Sequence, residues 1–216
     1  MPKQVLPVVI VFVALAGVLT MSAARVLGGR GGGVSPVSGG GGPPSDMVVP
    51  AFELTDQDAA PLDQTVLEGR YTVVDFFFTS CPTWCPLMTA AMQHVQDSTP
   101  GTDLRFLSIS IDGNVDTPEQ LRSYIGQYAV DGRRWTFATG SPADVAALVT
   151  RGLGFDLSLD PSMVITKADG STGPMINHPT RLLLVGPDRQ VLGLYRHDDP
   201  GDLELLISDA LRLAGG

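Results

Sequence analysis

Cysteine and histidine are scarce: the 216-residue chain has two of the first and three of the second. Two cysteines cannot staple a small scaffold, so a hydrophobic core must hold the fold and the pair is free for chemistry. Basic residues are also few, 14 Lys and Arg against 23 Asp and Glu, for a formal net charge of −9. Neutralising nucleic-acid phosphates takes clustered Lys and Arg, and no stretch of the sequence supplies them, so no nucleic-acid partner is expected. No arginine stands beside Cys81 to activate it by charge, which argues against a peroxide-reducing enzyme.

Charge is absent altogether from Gln4 to Ala24. The apolar run that begins at Val5 has about the 20 residues that a bilayer-crossing helix needs, and predicts a transmembrane anchor within residues 1–27. A cleaved signal peptide is the alternative, since Ser22, Ala23 and Ala24 suit a peptidase, but its apolar region is ordinarily shorter. Lys3 on one side and Arg25 and Arg30 on the other leave orientation undecided by charge. Residues 28–46 are rich in Gly, Pro and Ser, the composition of a flexible linker with a reach of roughly 25 Å. The remainder, 47–216, reads as a single domain with one core.

Within that domain Thr72-Val-Val-Asp-Phe-Phe-Phe78 is β-branched and aromatic, the pattern of a strand buried on both faces. After it Leu87, Ala91 and Val95, with Met88 and Met92 alongside, recur at helical spacing and predict a helix from about Cys85. Cys81 and Cys85 therefore fall at a strand-to-helix turn. Helix N-terminal amides favour thiolate over thiol, so two neighbouring, easily ionised sulfurs are expected. Such a pair can form a structural disulfide, exchange disulfides with a partner, or bind a soft metal ion. A disulfide here closes almost no loop and stabilises little. Thiol exchange is commonest in Cys-x-x-Cys, and this pair has one residue more between its sulfurs. Two thiolates suit Cu(I), and an added imidazole also suits Cu(II).

The other elements follow in order. Ala51–Asp56 alternates like a short strand, and Leu104–Asp112 predicts a second core strand, so strand, helix and strand form a right-handed parallel unit. Thr117-Pro-Glu-Gln120 carries a capping residue, a first-turn proline and a capping-box glutamine ahead of Leu121, Tyr124, Ile125 and Tyr128. Ser141-Pro-Ala-Asp144 repeats the device, and Trp135–Thr139 between them predicts a short strand. Lys167–Gly173 reads as the turn of an exposed hairpin that leads to His178. Arg181–Val185 and Gln190–Tyr195 flank Gly186-Pro-Asp-Arg189 as a second hairpin, and a last helix is expected from Pro200 to about Leu213. A strand-helix-strand half followed by a hairpin and a helix is the order of an α/β thioredoxin-like fold, a central mixed sheet flanked by helices.

Three histidines compete to join the sulfurs. His94 lies on the solvated face of the cysteine helix, and His197 reads as a surface residue among Asp198 and Asp199. His178 stands immediately before the first strand of the C-terminal hairpin, which in this fold passes beside the cysteine turn, and is the candidate ligand. Met88 and Met92 read as core residues, and Trp84 as a shield for the site or a partner contact. Asp112 and Asp116 lie at a strand end where they can tune the thiols, with a helix-capping role open to Asp116.

Several segments in order, Phe52–Gln57, Val74–Pro86, Ser108–Asp112 with Asp116-Thr-Pro118, and His178 with Leu184–Asp188 and Gly193–Tyr195, resemble the SCO/SenC copper chaperones. These are membrane-tethered, thioredoxin-like proteins that help assemble the copper centre of cytochrome c oxidase. The resemblance implies Cys81, Cys85 and His178 as ligands of a copper ion, Cu(I) or Cu(II). It implies the copper-receiving oxidase subunit as partner, with a copper donor and a thiol reductant beside it. It also places the soluble domain on the extracytoplasmic side of the cytoplasmic membrane. Thr83 stands where the family commonly has an acidic residue. The alternative is a membrane-anchored thiol-disulfide oxidoreductase that uses Cys81 and Cys85 without His178. Pro179-Thr180 sharpens that alternative, because it resembles the cis-proline element with which such enzymes dock peptides.

Overall fold

The computed structural model describes residues 46–215. The expected anchor and all but the last residue of the expected linker lie outside them. Among the described residues no helix is long and apolar enough to cross a membrane. The elements run β1 (Glu53–Asp56), β2 (Pro61–Asp63), β3 (Thr72–Phe77), α1 (Trp84–Ser98), β4 (Arg105–Ser110), α2 (Pro118–Ile125), β5 (Trp135–Thr139), α3 (Pro142–Ala146), β6 (Ser158–Thr166), β7 (Thr172–Asn177), β8 (Arg181–Val185), β9 (Val191–Arg196) and α4 (Pro200–Ala214).

Seven strands form one mixed sheet in the order β2-β1-β5-β4-β3-β8-β9. β3, β4 and β5 are parallel at its centre, and the flanking strands join antiparallel. Every residue of β3 is buried, as a strand covered on both faces requires. On α1 the inward stripe is Cys85, Met88, Ala91, Met92 and Val95, which packs α1 against β3 and α4. Leu87 departs from the expected core stripe: it lies about 100° around the helix from Met88 and is 55 % exposed. Thr117 and Ser141 cap α2 and α3 as expected, each accepting an amide hydrogen bond at the third residue on. The edge strand β2 and the 3-10 turn Gln64–Leu67 escaped the sequence, since three or four residues show no periodicity. α3 continues as a π-helical segment, Ala147–Gly152.

The two ends of the sheet differ. β8 runs against β3 with Val185 opposite Thr72, so the β8–β9 turn lies at the Thr72 end. There Met47–Val49 enters the fold, with the Val49 amide donating to the Arg189 carbonyl (2.9 Å) and the Val191 amide to Met47 (2.8 Å). Cys81 follows β3 and His178 precedes β8, so both lie at the opposite end. The β6–β7 ribbon also reaches that end. Its turn needs Gly170 at φ +83°, and Lys167 beside it forms a 2.7 Å ion pair with Asp112 past the end of β4.

Candidate metal centre

Cys81 sits in the loop between β3 and α1, where its amide donates to the Phe78 carbonyl at 3.2 Å. The loop is braced by Asp116, which is fully buried and accepts the Thr79 amide (2.9 Å), the Thr79 hydroxyl and the Ser110 hydroxyl (2.6 Å). Asp116 thus holds the cysteine loop, and the cap of α2 is its neighbour Thr117, which accepts the Gln120 amide at 3.3 Å. Burial pushes the Asp116 pKa up, against the pull of the Ser110 and Thr79 bonds.

α1 begins at Trp84 rather than Cys85, and its N-cap Thr83 makes no side-chain capping bond. First-turn amides are left for another acceptor, and the Cys85 amide donates to Cys81 Sγ at 3.4 Å. Cys81 itself precedes the helix. The two sulfurs are therefore unequal, where the sequence led to two easily ionised ones. Cys81 is held down to about 3, chiefly by the hydrogen bond from the Cys85 thiol, with His178 and the Cys85 and Thr83 amides adding to it against burial. Cys85 is pushed up, first by burial at 0 % exposure and then by its hydrogen bond to Cys81 and the Cys81 charge. Both sulfurs are free of disulfide bonding, and of the two Cys81 is the one favoured as thiolate.

His178 completes the group. Its Nδ1 lies 3.0 Å from the Pro179 carbonyl, which only accepts, so Nδ1 is the donor there and the ring is held with Nε2 toward the sulfurs. Nε2 is 3.5 Å from Cys85 Sγ, and the ring meets Phe78 edge to face at a centroid distance of 5.8 Å. One ligand atom from each of Cys81, Cys85 and His178 lies within 4.8 Å of the others, and no other such group forms among the described residues. Two soft sulfurs and an imidazole suit a soft or borderline cation, whose charge would replace the Cys85 proton.

Residues the sequence did not single out support the site. Asp75 stands six positions before Cys81 in β3, 1 % exposed; its Oδ1 accepts the Ser108 hydroxyl (2.5 Å), which accepts the Trp135 indole N–H (2.9 Å), while Oδ2 has no partner. Burial pushes this carboxyl up to about 6, opposed by the Ser108 bond and by His178. The available signal was one acid inside a strand buried on both faces. Ser80 accepts the Ala168 amide at 2.8 Å, so the ribbon turn that Lys167 pins to Asp112 is also tied to the residue before Cys81. The second strand of that ribbon delivers His178.

Three expectations change. His197 is buried rather than at the surface: its Nδ1 donates to the Thr180 carbonyl (2.9 Å) and its ring meets Trp84 at 6.3 Å. It nonetheless stays outside the ligand group. Pro179 provides no cis-proline element, because every peptide bond among the described residues is trans. The trans form of an X–Pro bond is favoured by about 0.5–1 kcal/mol, and the open connection from β7 to β8 makes no tight turn that would reverse this. Asp112 pairs with Lys167 instead of facing the thiols. His94 is exposed on α1, as expected, and Trp84 is half exposed beside the site.

Known proteins resemble this chain in sequence and fold. The family model described as SCO1/SenC matches residues 41–212. A SCO1 protein homolog of Bacillus subtilis is 29% identical over 169 residues, 77% of this chain and 82% of its own. A Stutzerimonas stutzeri protein named for copper binding is 30% identical over 156 residues, 71% of each chain. The fold is shared with the copper-bound structure of ScoI from Bradyrhizobium japonicum, at a TM-score of 0.63 and 22% identity, over 77% of this chain and 99% of that one. With four-fifths of its length matched by one family model, and the family's fold around its cysteine turn, the chain belongs to the SCO1/SenC family.

Proposed function

We propose that this protein is a copper chaperone that holds one copper ion through Cys81, Cys85 and His178. The observation that carries the reading is the trio itself, two buried sulfurs and a half-buried imidazole, three soft or borderline donors within 4.8 Å. Thiolate and imidazole donors suit copper in either oxidation state, and family membership supports the metal. Oxidation of the pair to a Cys81–Cys85 disulfide, with loss of two electrons, removes both thiolate ligands, so copper retention follows the redox state.

The recipient in this reading is the copper-receiving subunit of cytochrome c oxidase. Trp84 and Leu87, 49 % and 55 % exposed on the first turns of α1, provide an apolar contact for it. The uncharged N-terminal run supports an anchor in the cytoplasmic membrane, and family membership supports an extracytoplasmic side for the domain. A second reading, a thiol-disulfide oxidoreductase, draws on the lowered pKa of Cys81, but it leaves His178 without a role and buries both sulfurs away from a substrate.

Copper titration of the reduced full chain in detergent, for wild type and His178→Ala, separates the two. The chaperone reading predicts one tightly held copper and sharp weakening in the variant. Little copper, or an unchanged variant whose thiols still reduce a disulfide substrate, makes the protein an oxidoreductase.

A further inference from the structure

At the end of the sheet away from the sulfurs, the fold gathers charge that the sequence scatters. A cleft of about 390 Å³ is lined by Arg70, which precedes β3, Arg105, which opens β4, and Arg133 and Arg134, which precede β5. Thr72 lines it as well. In a chain of net charge −9, four arginines line one cleft.

Their existing partners leave capacity to spare. Arg134 is committed to the protein: it donates to the Leu104 and Gln96 carbonyls and the Thr99 hydroxyl, and lies over the Phe106 ring. Arg105 donates through Nη1 to the Arg133 carbonyl at 2.7 Å and meets Asp103 at 3.6 Å, yet its buried Nε has no acceptor. Thr72 is 2 % exposed, and its buried hydroxyl also lacks a partner. Arg133 is 90 % exposed and pairs with Asp131, and Arg70 is exposed. One acid, Glu68, lines the cleft, and it is turned toward Arg189 at 3.6 Å. Buried donors without acceptors are costly and rare in folded proteins. Only five buried side-chain atoms lack a partner among the described residues, and two of them, Arg105 Nε and the Thr72 hydroxyl, belong to residues that line this cleft.

We propose that this cleft is an anion site that takes a phosphate group. Arginine forks match phosphate oxygens, and the orphaned Nε–H and hydroxyl are donors of the kind an oxyanion satisfies. The phosphate can come from solution or from a phospholipid headgroup, since the chain enters the fold at the same end, through Met47–Val49 beside Arg189. The site is independent of copper.

The test titrates inorganic phosphate into the full chain in an uncharged detergent and follows backbone amide shifts of Thr72 and Arg105 by NMR. Saturable shifts are expected, and about tenfold weaker binding in each of Arg70→Gln and Arg105→Gln. Arg70→Gln touches no described hydrogen bond, and unchanged copper binding shows that each variant is folded. Hydrogen exchange in nanodiscs then separates the sources. Protection of the cleft amides by phosphatidylglycerol over phosphatidylcholine assigns a lipid headgroup, and equal protection with retained phosphate binding assigns free phosphate. Shifts that rise without saturation, or that persist unchanged in both variants, mark an adventitious ion only and overturn the proposal.

Discussion

The two ends of the parallel core carry opposite chemistry. At the Phe77 end, soft donors are shielded from water: Cys81 and Cys85 are buried, and His178 is aligned by a carbonyl. At the Thr72 end, hard cationic donors line an open cleft. Burial and hydrogen bonding explain the contrast. At the sulfur end burial raises Cys85, while the hydrogen bond between the two sulfurs lowers Cys81 against burial, and a cation is the natural complement of such a pair. At the arginine end the guanidinium groups keep their charge and can only be complemented by an anion.

The sharpest way to break the comparison is at the sulfurs. Cys85→Ser, titrated against a Cu(I) chelator, is expected to lose tight copper binding altogether, while Arg70→Gln at the other end keeps it. His178→Ala comes next. Changing a residue that merely supports a ligand costs about 10–100-fold in metal affinity, so removing the imidazole itself should cost at least about 100-fold.

Lys167→Met tests whether the ribbon positions His178. It strands the Asp112 carboxylate, 6 % exposed, without its partner. Urea unfolding should show a loss of about 3 kcal/mol, the low end for breaking a buried pair. Copper affinity should fall as well, since the same ribbon carries the imidazole. Unchanged copper affinity in a folded Lys167→Met protein would detach the ribbon from the site.

Asp75 gives a smaller effect with a definite sign. Its folded pKa of about 6 lies above the ordinary carboxyl value of 3.8, so between these values the folded state binds the extra proton. Stability from this group is therefore greatest below about pH 4, falls as pH rises toward 6, and stays low above it. Asp75→Asn should remove that decline and raise stability at neutral pH by up to about 3 kcal/mol. Urea midpoints for both proteins from pH 4 to 8 check this. The smallest signal is a proton count. Copper binding at pH 7 should release close to one proton per ion, from Cys85, because Cys81 is already a thiolate.

The same contrast explains what could be read in advance. Cys81 and Cys85 are four residues apart at the junction of a buried strand and a helix, so local pattern and spacing revealed them. His178 followed from fold order, because the strand after it lies beside β3. Asp75 was visible only as a misfit in an apolar strand. The Lys167–Asp112 pair joins positions 55 residues apart, and nothing local in either segment signals it. Arg70, Arg105 and Arg133 likewise come from three separate approaches to parallel strands, so a sequence without any basic run still builds a basic cleft. His197 was misread for the related reason that Thr180 and Trp84, which draw it inward, are remote in sequence.

The most direct measurement is copper K-edge X-ray absorption on the reduced, copper-loaded full chain, with His178→Ala beside it. The account predicts two sulfur ligands and one imidazole in the wild type, with the imidazole scattering lost and both sulfurs retained in the variant. An imidazole signal that survives the substitution, or a wild-type site without two sulfurs, would contradict it.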